Sequence, residues 1–232
     1  MALFNRSSLF VHINKAGGGT VVEAMGATAK ELHLRFELSG RHRTLGGFES
    51  EATKLGVDVA RLRVFTIVRN PWDRMVSMYH FYGMRGKENQ GFDIRDARTG
   101  RTRSFDEWIR HIYSPAWPAS KIHHMINMLK HCFGNQLDWL GNRPERVRVL
   151  RFERYQEEVV PYLRDEVGLK ISEEAAQGNS SASHSSEHRH FCTYYTDVTR
   201  PPLVAKHYQR DILSLNYSFP EDCAAAAASL RD

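Results

Sequence analysis

The sequence predicts an α/β fold in which helices flank a central parallel β-sheet. Compact apolar runs rich in β-branched residues are typical of buried strands, and helical patterns follow the first two of these runs directly. This alternation indicates a parallel sheet, because parallel strands need a crossover connection and a helix is the usual one. With 232 residues and 41% hydrophobic content, the chain is large enough for one domain over residues 1–232.

Each element is predicted from local pattern. The strands are predicted at LFVHI (9–13), RVFTIV (63–68) and VRVLRF (147–152). The helices are predicted at 20–32, 71–84, 104–113 and 203–215, where apolar residues recur at helical spacing. Polar stretches without a period are predicted as long loops at 83–104 and 177–190, and residues 221–232 as a tail. Long loops in a compact domain are often functional.

Composition narrows the class of protein. The net charge of +5 suggests anionic ligands, but basic and acidic residues are interspersed, so we do not expect nucleic-acid binding. No window approaches the roughly 20 apolar residues of a membrane span, and the first residues lack the order of a signal peptide. The three cysteines, Cys132, Cys192 and Cys223, are odd in number, far apart and without zinc spacing. We therefore expect reduced thiols and a soluble, cytoplasmic protein.

The segment HINKAGGGT predicts an anion-binding loop between the first strand and the first helix. Glycines let the backbone turn sharply and approach a ligand, and the following helix contributes the partial positive charge of its N-terminus. Lys15 adds a full charge, and Thr20 adds a hydroxyl donor. The alternative interpretation is a glycine-rich connector beside a solvated lysine. A nucleoside-triphosphatase or kinase loop is disfavoured, because there the lysine follows the glycines instead of preceding them.

A second segment, VRNPWDRMVSMY, predicts another anion site. Arg69 ends a strand, and Pro71 suits the first turn of the helix that follows. Ser77 lies eight residues after Arg69, about two turns into that helix. A guanidinium fork and a hydroxyl could hold a second phosphate. The alternative is an exposed arginine and a serine that packs within the helix.

Together the two segments resemble the nucleotide-binding signatures of sulfotransferases that use 3′-phosphoadenosine-5′-phosphosulfate (PAPS). The closer similarity is to the carbohydrate-type branch, whose motifs read H-I-P-K-T-G-G-T-S and R-N-P-W-D-R-x-V-S-x-Y. Downstream, VRVLRFERY and the closing segment up to residue 219 also resemble the family, so the similarity covers about residues 9–219. It implies a P-loop-like, three-layer fold with a central parallel sheet.

The resemblance also implies roles for individual residues. Lys15 would contact the 5′-phosphosulfate and stabilise the leaving phosphate oxygen, while Arg69 and Ser77 would hold the 3′-phosphate. The 5′ group would lie against Ala16, Gly17, Gly18, Gly19 and Thr20, and a loop containing Ser185 and Ser186 would lie over the nucleotide. Three positions depart from the family motif, namely Asn14, Ala16 and Gly19, and the last two replace hydroxyl-bearing residues.

Sulfuryl transfer to an alcohol also needs a base. The segment GRHRTL resembles the family's histidine segment before the second motif, which makes His42 the first candidate, with Glu37 and His33 as alternatives. His123 and His124 have no companion ligands in sequence, so no metal site is predicted. We expect in-line transfer from PAPS to a carbohydrate or small-molecule hydroxyl, leaving 3′,5′-ADP. The alternatives are a kinase of the P-loop type and an impaired 3′,5′-ADP-binding protein; acceptor identity and oligomeric state stay open.

Overall fold

The computed structural model describes residues 2–38, 44–84, 94–96, 98–115, 132–171, 190–221 and 223. Two compact units make up the chain. The first, here called the sheet unit, comprises Met1–Arg69 and Gln136–Ser185. The second, called the helical unit, comprises Asn70–Asn135 and Ser186–Asp232. In the parts of the chain that the structure describes, no helix is both long and apolar enough to cross a membrane.

The sheet unit is built on a five-stranded sheet with strand order β3-β1-β2-β4-β5. The strands are β1 Ala2–Phe4, β2 Ser8–Val11, β3 Phe36–Leu38, β4 Arg63–Val68 and β5 Val147–Arg151. Neighbours β2, β4 and β5 pair in parallel, whereas β1 pairs antiparallel with both β2 and β3. Four strands therefore share one direction. The predicted α/β architecture, a mostly parallel central sheet flanked by helices, is confirmed.

The three predicted strands form, but β1 and β3 were not predicted. Each has only three residues, too short for an alternation pattern to identify it. The inner strands are buried on both faces, with all of β2 and five of the six residues of β4 inside. This burial is typical of parallel strands covered by helices. A buried hydrogen bond from the Thr66 hydroxyl to the Val11 carbonyl, at 2.7 Å, further joins β2 to β4.

The helices of the sheet unit are α1 Gly18–Glu31 and α2 Leu45–Lys54, followed by short 3₁₀ and π-helical turns between Val59 and Glu166. Helix α1 buries Val21 and Met25 against Phe10 and Phe65 of the sheet. Helix α2 buries Glu49, whose carboxylate accepts hydrogen bonds from Arg143 and Arg146. A buried carboxylate needs such partners, since leaving it unpaired would be costly.

The helical unit contains α3 Pro71–Met84, α4 Phe105–Ile112, α5 Arg200–His207 and α6 Gln209–Leu215. Helix α4 begins with a capping box in which Ser104 and Glu107 satisfy each other's backbone N–H groups. The predicted helix 203–215 is divided in two at Tyr208, whose backbone is non-helical. The Tyr208 side chain is fully buried and its hydroxyl accepts from Arg74, while helical hydrogen bonds from Tyr208 to Val204 and from Ile212 to Tyr208 bridge the break.

The expectation of reduced thiols differs from the structure. Cys192 and Cys223 form a disulfide although they lie 31 positions apart in the sequence, and Cys132 is a buried thiol. Spacing could not reveal this pair, because their proximity arises from how the last described segments fold back in the helical unit. A ring nitrogen of His190 lies within 4.8 Å of both sulfur atoms. These three residues could therefore hold a metal ion if the disulfide were reduced.

Candidate cofactor-binding site

The candidate site lies at one edge of the sheet unit, where three parallel strands end. Strand β2 leads into the loop that contains Lys15, β4 is followed by Arg69, and β5 is followed by Phe152. Because β2, β4 and β5 are parallel neighbours, their carboxyl ends meet at the same edge. Ligands of open α/β sheets bind at this edge.

The loop before α1 leaves no room for a side chain at Gly17 or Gly18. Lys15 and Gly17 both have positive φ, 59° and 88°, and Ala16 is buried between them. A Cβ atom on Gly17 would lie 2.5 Å from Cδ2 of Phe152, and one on Gly18 would lie 2.3 Å from Cδ2 of His12. Real Cβ contacts are not so short, so neither glycine can be replaced without movement.

Gly17 is also the N-cap of α1, and it has no side chain with which to cap the helix. The first turn of α1 carries no acidic residue either. The first N–H groups of a helix have no intrahelical acceptor, and their partial positive charge attracts anions. The N-terminus of α1, with Lys15 just before it, can therefore bind a phosphate-like group.

The Thr20 hydroxyl supports the same interpretation. It is buried, and the described part of the chain gives it no hydrogen-bond partner. The Tyr155 phenol is a polar neighbour: burial raises the pKa of Tyr155 to about 12 and the Thr20 hydroxyl opposes that rise, but the two oxygens do not reach hydrogen-bond geometry. A buried hydroxyl without a partner is unfavourable, and a bound oxyanion would satisfy it.

Arg69 is held at the end of β4 by two different side chains. Its backbone N–H donates to Oε1 of Gln136 at 2.9 Å, and its carbonyl accepts from Nε2 of Gln136 at 2.7 Å. Its guanidinium carbon lies 4.4 Å from the centre of the Phe152 ring, a cation–π contact. Arg69 is 8% exposed, so the guanidinium is largely desolvated.

The second predicted motif continues into the helical unit. Ser77 lies in α3 and is buried, and Asn70 caps that helix by accepting from the N–H groups of Trp72 and Asp73. Arg74, which belongs to the same motif, is fully buried and donates to the Tyr208 hydroxyl at 3.0 Å. Arg74 therefore anchors the helical unit, a role that the motif alone did not reveal.

Of the three candidate bases, the structure describes His33 and Glu37. His42 lies outside the described residues, as do Ser185 and Ser186 of the predicted nucleotide loop and His123 and His124. His33 is exposed and follows the C-terminus of α1. A 14-residue helix is about 21 Å long, so His33 lies far from the loop at the helix N-terminus. This position argues against His33 as the base.

Glu37 lies in β3 opposite Leu3 of β1. Since β3 runs in the same direction as β2 and β4, the chain leaves β3 at the edge of the sheet that carries Lys15 and Arg69. The carboxyl end of β3 therefore lies at the edge of the sheet that carries the candidate site, and Glu37, one residue before the last of this strand, is half-buried.

Two site residues, Gln136 and Phe152, were not predicted. Gln136 is fully buried and lies 67 positions from Arg69 in the chain. No local pattern marks it, because a buried glutamine in an apolar turn has no periodic signature. Phe152 falls within a predicted strand, and only its contacts with Gly17 and Arg69 distinguish it from a core residue.

Comparison with known proteins agrees with this geometry. A family model described as the sulfotransferase family matches residues 7–218. The chain belongs to the sulfotransferase family. The match spans both compact units of this sulfotransferase and includes both motifs. No curated protein and no solved structure matches the chain. Its activity class is therefore the transfer of a sulfuryl group to a hydroxyl-bearing acceptor.

Proposed function

We propose that this sulfotransferase takes its sulfuryl group from PAPS and transfers it to a hydroxyl of a carbohydrate or small-molecule alcohol. The observation that carries the proposal is the Thr20 hydroxyl in the first turn of α1, buried and without a hydrogen-bond partner among the described residues, beside glycines that leave no room for side chains. This combination is suited to an oxyanion held by backbone N–H groups and one hydroxyl.

In the proposal, the 5′ side of the donor lies on the loop before α1. The backbone from Ala16 to Gly19 and the Thr20 hydroxyl hold its 5′-phosphate, and Lys15 neutralises the charge of the phosphate oxygen. Because Ala16 and Gly19 offer no hydroxyl, backbone N–H groups supply most of the donors. Arg69 binds the 3′-phosphate, and its fixed backbone keeps the guanidinium at the end of β4.

Three further assignments stay predictions. Ser77 is assigned to the 3′-phosphate, and Ser185 and Ser186 to the loop over the nucleotide. His42 is assigned as the general base, accepting the proton of the acceptor hydroxyl as that oxygen attacks. When bound, PAPS supplies an activated sulfuryl group with a phosphate leaving group. Transfer of this type needs alignment and charge stabilisation and little covalent help, and no metal is assigned.

Calorimetric titration without added metal tests the donor. We expect wild type to bind 3′,5′-ADP and to bind adenosine 5′-phosphate, which lacks the 3′-phosphate, at least tenfold more weakly. Arg69→Gln should remove this preference, because a hydrogen bond to a charged group contributes about 1.5–3 kcal/mol. Lys15→Met should weaken the binding of both nucleotides by a similar factor. ATP with magnesium binding better than 3′,5′-ADP would instead favour a kinase.

The proposed compartment is the cytoplasm. The Cys192–Cys223 disulfide argues against this compartment, so the state of the two cysteines in the cell is a direct check. Disulfides are rare where glutathione keeps thiols reduced. Alkylation of freshly lysed cells, followed by mass spectrometry of the peptides that contain Cys192 and Cys223, should find both as free thiols if the protein is cytoplasmic. Recovery of the linked peptides would contradict the cytoplasmic assignment.

A further inference from the structure

One aromatic ring connects two parts of the candidate site. Phe152 follows β5 in a 3₁₀ turn, Phe152–Arg154, and its ring is only half-buried. The Arg69 guanidinium carbon lies over the ring, 4.4 Å from its centre. Two ring atoms, Cδ2 and Cε2, lie 2.5 and 2.8 Å from where a Cβ of Gly17 would be. The same ring therefore contacts the arginine at the end of β4 and the glycine that caps α1.

These contacts restrict Arg69 in a way that Gln136 does not. The two hydrogen bonds from Gln136 hold backbone atoms of Arg69, whereas Phe152 contacts the guanidinium itself. A guanidinium stacks on an aromatic face in a limited set of orientations, and a fork that is already oriented loses less entropy when it binds a phosphate. Gln136 thus fixes the backbone of Arg69, and Phe152 fixes the position of its guanidinium.

A purely structural role would explain less. Phe152 packs at the margin of the core around α1 and makes an edge contact with Tyr155 at 5.9 Å between ring centres. Any apolar side chain of similar volume could fill that position. An aliphatic side chain would not, however, offer an aromatic face over which the Arg69 guanidinium could lie. An aliphatic residue of similar size therefore separates the two roles.

We propose that Phe152 is a positioning residue that orients the Arg69 guanidinium toward the donor's 3′-phosphate and so sets the preference for 3′-phosphorylated nucleotides. The inference rests on the proposed function, since it assigns Arg69 to that phosphate. Phe152 itself does not touch the reacting atoms. Its loss should raise KM for PAPS while leaving kcat nearly unchanged, because the orienting contact acts on binding of the non-reacting 3′ group.

The test compares binding of 3′,5′-ADP and adenosine 5′-phosphate to four variants. Phe152→Leu should weaken 3′,5′-ADP about tenfold and adenosine 5′-phosphate less than twofold. Phe152→Tyr, which keeps the aromatic face, should retain the wild-type preference within about twofold. In the Arg69→Gln background, Phe152→Leu should cause no further loss of 3′,5′-ADP binding. Phe36→Leu, the same change at another half-buried aromatic residue of this core, is the matched control and should leave both affinities unchanged.

Each outcome has a separate meaning. Equal weakening of both nucleotides by Phe152→Leu, or additive losses in the double variant, would overturn the role of Phe152 while leaving the donor assignment intact. A folded wild type that shows no preference for 3′,5′-ADP would overturn the proposed function and this inference with it. If Phe152→Leu does not fold, Phe152→Met, with similar volume and no aromatic face, replaces it under the same expectations.

Discussion

The side-chain amide of Gln136 takes the place of a neighbouring strand for Arg69. It accepts the Arg69 N–H and donates to the Arg69 carbonyl, so both backbone groups are paired just beyond the last residue of β4. The arginine can therefore stand at the sheet edge without leaving buried polar backbone unsatisfied. This pair therefore fixes the backbone of Arg69 at the edge of the sheet unit.

Replacing Gln136 should reduce both stability and affinity. Gln136→Leu fills a similar volume but leaves two buried backbone groups unpaired, which we expect to lower the free energy of unfolding by about 2–5 kcal/mol. Binding of 3′,5′-ADP should also weaken, because the backbone of Arg69 is no longer held in place. Urea denaturation and calorimetry measure the two effects. Gln209→Leu, at an exposed glutamine, should change neither stability nor affinity. Equal effects of the two substitutions would refute the role of Gln136 in holding Arg69.

Thr20→Val should change stability and binding in opposite directions. It removes a buried hydroxyl without a partner while keeping the shape, so the ligand-free protein should be as stable as wild type or up to about 1 kcal/mol more stable. Affinity for 3′,5′-ADP should fall about tenfold or more, as for loss of a hydrogen bond to a charged group. Thr20→Ser keeps the hydroxyl and should retain binding. Tight binding by Thr20→Val would remove Thr20 from the site.

Replacing glycine with alanine should have opposite effects on stability at positions 17 and 46. Gly17→Ala meets the Phe152 ring and a φ of 88°, so it should destabilise by about 1–3 kcal/mol and abolish nucleotide binding. Gly46→Ala, in α2 with open space around it, should stabilise by roughly 0.5–1 kcal/mol through helix propensity. Thermal melts of both variants give the comparison. A neutral Gly17→Ala would mean that the loop adapts.

Acid should destabilise the helical unit through Glu107. The hydrogen bond from Arg101 and the backbone N–H of Ser104 lower the pKa of Glu107 to about 2. A lowered pKa in the folded state stabilises above the unfolded value near 4.5, and this contribution is lost as the pH falls toward 2. Glu107→Gln should flatten the dependence of stability on pH between about 4.5 and 2. An unchanged profile in that window would show that other carboxylates dominate.

Breaking the disulfide should destabilise the helical unit. It closes a loop with a sequence separation of 31, so chain entropy predicts a loss of about 3–4 kcal/mol on reduction or in the Cys192→Ser/Cys223→Ser variant. Denaturation with and without reductant measures this loss. The double variant should be insensitive to reductant, whereas sensitivity there would point to another source. Cobalt added to the reduced wild type tests whether His190 and the two thiolates bind metal.

The parts of the fold that sequence predicted well are those with local causes. The strands containing Leu9, Phe65 and Leu150 and the helix that starts at Pro71 have strong patterns or start signals within a few residues. Strand β1, with three residues, has no such pattern; it pairs with β2 across a short turn, and its second partner, β3, comes only after helix α1. The break at Tyr208 was missed because no proline, glycine or other local signal marks it, whereas its hydrogen bond with Arg74 joins residues distant in sequence.

By itself, the sequence determined the family of this protein and the class of reaction that the family carries out. The lysine, glycines and threonine between strand and helix, and the arginine before Asn70 and Pro71, predict phosphate binding, because that prediction depends on backbone freedom, charge and position relative to a helix terminus. Tertiary structure alone decided how these groups are held. Gln136, Phe152 and the Cys192–Cys223 pair act through contacts between distant segments, and such contacts leave no periodic trace in a linear sequence.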